Sequence, residues 1–184
     1  MHDWKDTVWQ IRRVKMELAK LDPGLGPSIA PHPGVGLRAI SAVERKIRRR
    51  LPPSYRAFLN QHDGWPQFYQ GASLLGSRDL PKAHYGGAAR AVFEAYETPI
   101  PEIGPPSRPE GRPDAMIPFG IDPKAATVFA FNPAVVRPDG EMEVIVWMNE
   151  LGERCECFSD FLAMVLEMLC AELFERGQGL RQSA

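Results

Sequence analysis

The chain has 184 residues, with 22 basic and 23 acidic side chains and a formal net charge of −1. A balance this even gives no global attraction for nucleic acid or a membrane surface, and no apolar run approaches the ~20 residues of a membrane span. Three cysteines are too few, and odd in number, for a disulfide scaffold.

Trp4, Val8, Ile11, Leu18 and Leu21 keep near-heptad spacing, which predicts an amphipathic helix over residues 3–21. The opening stretch, MHDWKDTVWQIRR, lacks the apolar core of a signal peptide, so a cytoplasmic protein is expected. Asp22-Pro23-Gly24 ends that helix, and residues 22–38 form a Pro/Gly connector that cannot sustain regular structure. The expected organisation is a helix and connector over 1–38, one folded domain over 39–176, and a flexible tail over 177–184.

Ser41 followed by Glu44 has the pattern of a capping box, placing a helix start at Ser41. Ile40, Val43, Ile47 and Leu51 then line one helical face. Pro52 and Pro53 stop this helix and pre-set the first turn of a second one, which carries Tyr55, Phe58 and Leu59 inward. Gly64 is the expected left-handed cap, followed by an exposed Asp63-Gly64-Trp65 tip.

Phe68 to Leu75 reads as a strand or hairpin limb, and Gly87 to Tyr96 as a short helix. Thr98 to Asp114 is proline-dense and reads as an exposed loop. Strands are predicted at Met116–Ile121, Thr127–Phe131 and Glu143–Met148, with a turn at Pro138-Asp139-Gly140 between the last two. Both alternating faces of EVIVWM are apolar, as in a central strand covered on both sides. Glu153–Phe158 pairs with it, and Ser159 caps a last helix bearing Phe161, Leu162, Val165, Leu166, Leu169 and Phe174. The fold class is therefore α+β: a mixed, mainly antiparallel sheet with helices packed around it, plus the N-terminal amphipathic helix.

Catalytic patterns are missing. Gly71-Ala72-Ser73-Leu74-Leu75 lacks the second glycine of a nucleophile elbow. There is no HExxH, no phosphate loop and no dinucleotide fingerprint, so no catalytic or cofactor-binding residue is expected. Cys155 and Cys157 alternate in ERCECF, but the histidines at 2, 32, 62 and 84 are scattered, and reduced thiols are expected in place of a metal site. Gly86-Gly87 reads as a turn and Asp122 as an Asx turn before Pro123. The Arg45-Lys46-Ile47-Arg48-Arg49-Arg50 run reads first as the solvated face of a helix. A patch for an acidic protein comes second and nucleic acid last.

Several of these segments together resemble a known family. Glu44, then Leu51-Pro52, Tyr55, Phe58-Leu59 and Gly64 resemble the opening motif of the SUKH superfamily. Leu74-Leu75-Gly76, the Ile117–Asp122 strand around Pro118-Phe119-Gly120, Val144–Trp147 and Phe158–Leu162 resemble its later motifs, in order. That superfamily includes fungal Smi/Knr cell-wall regulators and many bacterial toxin-immunity proteins. The resemblance implies a non-enzymatic partner-binding domain without cofactors, whose partner is a cognate toxin such as a nuclease or another enzyme acting on nucleic acid. It leaves open a regulatory scaffold with no toxin. Trp65 and Tyr69 read first as aromatics at the rim of the core and second as interface anchors, and on the second reading Asp63, Trp65 and Tyr69 are the residues expected to meet the partner. Glu141 and Glu143, with Glu150 and Glu153, join them as mimics of phosphate. Direct contact with nucleic acid or membrane is not expected.

Overall fold

The computed structural model describes residues 4–22, 24, 28–96, 115–122, 124, 127–148 and 151–182. Among these, the helices are α1 (Trp4–Leu21), α2 (Leu37–Ile47), α3 (Pro53–Gln61), α4 (Ala83–Tyr96) and α5 (Phe158–Gln182). The strands are β1 (Trp65–Tyr69), β2 (Ala72–Leu74), β3 (Ile117–Asp122), β4 (Thr127–Val136), β5 (Met142–Met148) and β6 (Leu151–Cys155). The chain divides into two compact units, residues 31–158 and residues 1–30 with 159–184.

In the larger unit the six strands lie in the order β1-β2-β3-β4-β5-β6, each antiparallel to the next. The expected α+β class is what forms. Short connections join β1 to β2 and β3 through β6 in sequence, since antiparallel neighbours need only a tight turn, while β2 reaches β3 by a longer path that includes α4. Gln70 and Gly71, both with positive φ, make the two-residue turn between β1 and β2. Between β4 and β5 the chain reverses at Arg137–Gly140. Gly140 has φ +86° there, and the Glu141 amide donates to Asp139 Oδ1 at 3.1 Å.

Side-chain alternation then gives the sheet two apolar faces. Val128 lies opposite Trp147 and Ala130 opposite Ile145. With Met116, Ile121 and Leu75 they form one cluster, covered by Ala89 of α4. Phe129 lies opposite Val146 and Phe131 opposite Val144, pointing to the other face. There Tyr55 packs its ring 5.2 Å from both Phe119 and Phe131 and 5.0 Å from Phe158. β5 is buried on both faces, as its composition predicts. Gly120 is required by this packing: a Cβ there would lie 2.4 Å from the Phe129 ring.

In the smaller unit Val8, Ile11 and Leu18 form the buried stripe of α1, as the heptad spacing predicts. Asp22 accepts the Gly24 amide at 2.9 Å and pairs with Arg176 of α5, tying the end of α1 to α5. Lys15 is largely buried, and the loss of water around its ammonium lowers its pKa from 10.5 to about 8.

Several boundaries differ from the sequence reading, with β4 running on to Val136 and β6 lying at Leu151–Cys155 in place of Glu153–Phe158. α2 starts one turn early, at Leu37, with Gly36 as a cap that offers no side chain; Ser41 is interior and the capping box does not form. α5 starts at Phe158, so Ser159 is inside it. Gly86 and Gly87 lie within the first two turns of α4, with open space around both, and form no turn of their own. The proline-dense stretch 98–114 lies outside the described residues.

Candidate functional site

The motif residues that stand far apart in sequence converge on one side chain. Tyr55 is fully buried, and its hydroxyl donates to the Leu75 carbonyl at 2.7 Å, with the Phe119 carbonyl at 3.3 Å. Burial pushes its pKa well above the usual phenol value, and the carboxylates of Asp63 and Asp79 push in the same direction. The hydroxyl therefore serves as a fixed donor that closes α3 onto β2 and β3. It is a structural post for the core.

The turn between α2 and α3 is clamped just as firmly. Glu44 accepts the Leu51 amide at 2.9 Å with Oε1 and pairs through Oε2 with Arg56 of α3. The Ser54 amide donates to Glu141 Oε1 at 2.7 Å and the Ser54 hydroxyl to Oε2 at 2.6 Å. A carboxylate from the β4–β5 turn thus caps α3, which has no local side-chain cap.

The five residues expected to meet a partner all make contacts inside the fold. Trp65 is 0% exposed, with its ring 5.1 Å from Phe68, so the turn it follows does not present it as an exposed tip. Tyr69 is buried as well. Asp63 accepts from the Ser77 amide at 2.5 Å and the Ser77 hydroxyl at 2.8 Å, folding the turn onto the start of the following loop. Gly64 is left-handed at φ +86°, as expected, but two residues past the helix cap, His62. A Cβ on Gly64 would meet the Gly76 amide nitrogen at 2.7 Å, so the two backbones touch here. Glu143 is 1% exposed, held by Asn132 Nδ2 at 2.8 Å and faced by Arg154 at 3.6 Å. Glu141 is engaged at Ser54, Glu153 is exposed, and Glu150 lies outside the described residues.

Asp122 forms the expected Asx turn, accepting the Lys124 amide at 2.9 Å. Cys155, Cys157 and Cys170 are free thiols, the first two buried. Among the described residues no group of histidine, cysteine and carboxylate side chains gathers at metal-binding distance, and no helix is long and apolar enough to cross a membrane.

What the fold leaves on its surface is the basic turn. Arg45, Lys46, Arg48, Arg49 and Arg50 are all exposed, and none is held in an ion pair among the described residues. Arg48 occupies the left-handed region (φ 54°, ψ 33°) at the end of α2, a position that normally takes glycine because a side chain there costs about 1–2 kcal/mol. Arg48 and Arg49 line a cleft of about 300 Å³ whose other walls are Ile47, Leu80, Met116, Ile117 and Pro118. This cleft was not foreseen from sequence. The run of cations was visible there, but its apolar neighbour Met116 is brought in only by the sheet.

The SMI1 / KNR4 family model (SUKH-1) matches residues 34–164. The chain is a member of that family. The match spans the α2–α3 pair, the whole sheet and the first turns of α5, so the SUKH-1 signature coincides with the Tyr55 core. No curated protein matches the chain. The family indicates a binding or regulatory type of domain with a protein partner.

Proposed function

We propose that this SUKH-1 domain is a non-enzymatic, cytoplasmic immunity protein that neutralises a toxin by binding it. The observation that carries this reading is the family match over residues 34–164. The side-chain chemistry supports it. The carboxylates best placed for acid–base work are committed to the fold: Glu44 to Leu51 and Arg56, Asp63 to Ser77, Asp122 to Lys124 and Glu143 to Asn132. A rigid core with an exposed, pre-organised cationic turn suits recognition more than turnover.

Co-expression tests the reading. Cells producing the toxic protein encoded beside this gene should survive when they also produce this chain, and die without it. An isolated gene with no toxin to neutralise, or no protection from the neighbouring one, would favour a regulatory scaffold.

A further inference from the structure

We infer that the Arg48–Arg49 cleft is the docking site for an acidic segment of a partner protein, one carrying an aliphatic side chain between carboxylates. This rests on the binding-protein reading above and adds the chemistry of what is bound. Its lining joins the side chains of Ile47, Leu80, Met116, Ile117 and Pro118 with the cations Arg48 and Arg49. A volume of about 300 Å³ holds side chains of a docked segment and is at the low end for small-molecule pockets.

Charge complementarity selects the partner. Five cations stand on the last turn of α2 and the turn after it without an internal ion pair among the described residues, and the nearby carboxylate of Glu44 is already held by Arg56. Two of the five, Arg48 and Arg49, line the cleft beside Leu80 and Met116, where guanidinium groups can fork onto carboxylates. The backbone supplies an independent argument. Glycine would relieve the left-handed strain at position 48, yet an arginine stands there, and strain retained at a ligand-facing residue points to use. The clamp of Glu44 on Leu51 keeps the turn in place before any partner arrives, which lowers the ordering cost of binding. Nucleic acid fits less well. No aromatic ring lines the cleft for a base to stack on.

The test is a ¹⁵N chemical-shift titration of the full chain at physiological salt. The probes are a short synthetic peptide with leucine flanked by glutamates, its lysine counterpart, and a short DNA duplex. The acidic peptide should move the amides of Ile47, Arg48, Arg49, Leu80, Met116 and Ile117. Its affinity should fall at least about fivefold in Arg48→Gly and in Arg49→Ser, and fall with added salt. Arg48→Gly should keep or raise the urea midpoint, because glycine suits positive φ, so weaker binding by this variant reports the lost guanidinium. The inference is overturned if these amides do not move, if the lysine peptide moves them equally, or if DNA moves them at lower concentration. Binding by Arg48→Gly equal to wild type also overturns it. A toxin complex equally tight with the Arg48→Gly, Arg49→Ser chain would sink this site and leave the immunity reading standing. Acidic-peptide binding without any toxin complex would do the reverse.

Discussion

Glu44 and Arg56 form an ion pair across the α2–α3 junction, and the same carboxylate accepts the Leu51 amide at 2.9 Å. One side chain thus fixes the angle between two helices and the course of the cationic turn that joins them. Glu44→Ala leaves the Leu51 amide without its acceptor and frees Arg56, so a loss of about 1–3 kcal/mol is expected. Urea melts of the single variants and of the Glu44→Ala, Arg56→Ala double variant measure the coupling. Strictly additive effects would mean that the pair contributes nothing.

Tyr55→Phe keeps the ring packing and removes only the hydroxyl. The Leu75 carbonyl then loses a buried donor at 2.7 Å, and about 1–2 kcal/mol of stability should go with it. A midpoint equal to wild type would show that water replaces the donor.

Trp65→Ala should damage the fold before it damages any interface. The side chain is fully buried, and truncating a core tryptophan costs about 3–5 kcal/mol. By contrast Glu141→Ala removes only the cap on α3 and should cost about 0.5–2 kcal/mol. Chemical denaturation of both variants checks the order; a Trp65→Ala chain as stable as wild type would contradict the burial.

Lys15 gives a pH dependence of definite sign. In the folded chain its proton leaves near pH 8 and in the unfolded chain near 10.5, so between these values the unfolded state holds more protons. Stability contributed by this residue therefore rises with pH across that window and is flat below it. Compared with Lys15→Met, wild type should gain stability from about pH 8 to 10.5. Parallel pH profiles of the two chains would reveal the trend as absent if Lys15 stays well hydrated.

Local chemistry in the sequence was enough to read the elements. Pro52-Pro53 separated two helices, the double-faced EVIVWM run marked a strand buried on both faces, though it lies next to the edge and not at the centre of the sheet, and Asp139-Gly140 located a turn. The errors came where a local pattern competed with a distant partner. Ser41 and Glu44 match a capping box at their spacing, but Glu44 is drawn to Arg56, twelve positions on, and α2 begins at Leu37. Asp63-Gly64 looks like the tip of an exposed turn until Ser77 folds onto Asp63 and the chain beyond it enters the sheet with Trp65 inward. Glu143 looked solvent-facing because Asn132, its partner, is reached only across the β4–β5 ladder.

The toxin-binding reading is tested most directly by the affinity of the purified chain for a candidate toxic protein encoded beside its gene. Neutralisation requires slow release, so titration calorimetry or surface-based kinetics should give a Kd of about 1 nM or tighter, with dissociation dominating any loss in variants. No binding at micromolar concentrations, with both proteins folded, would contradict it.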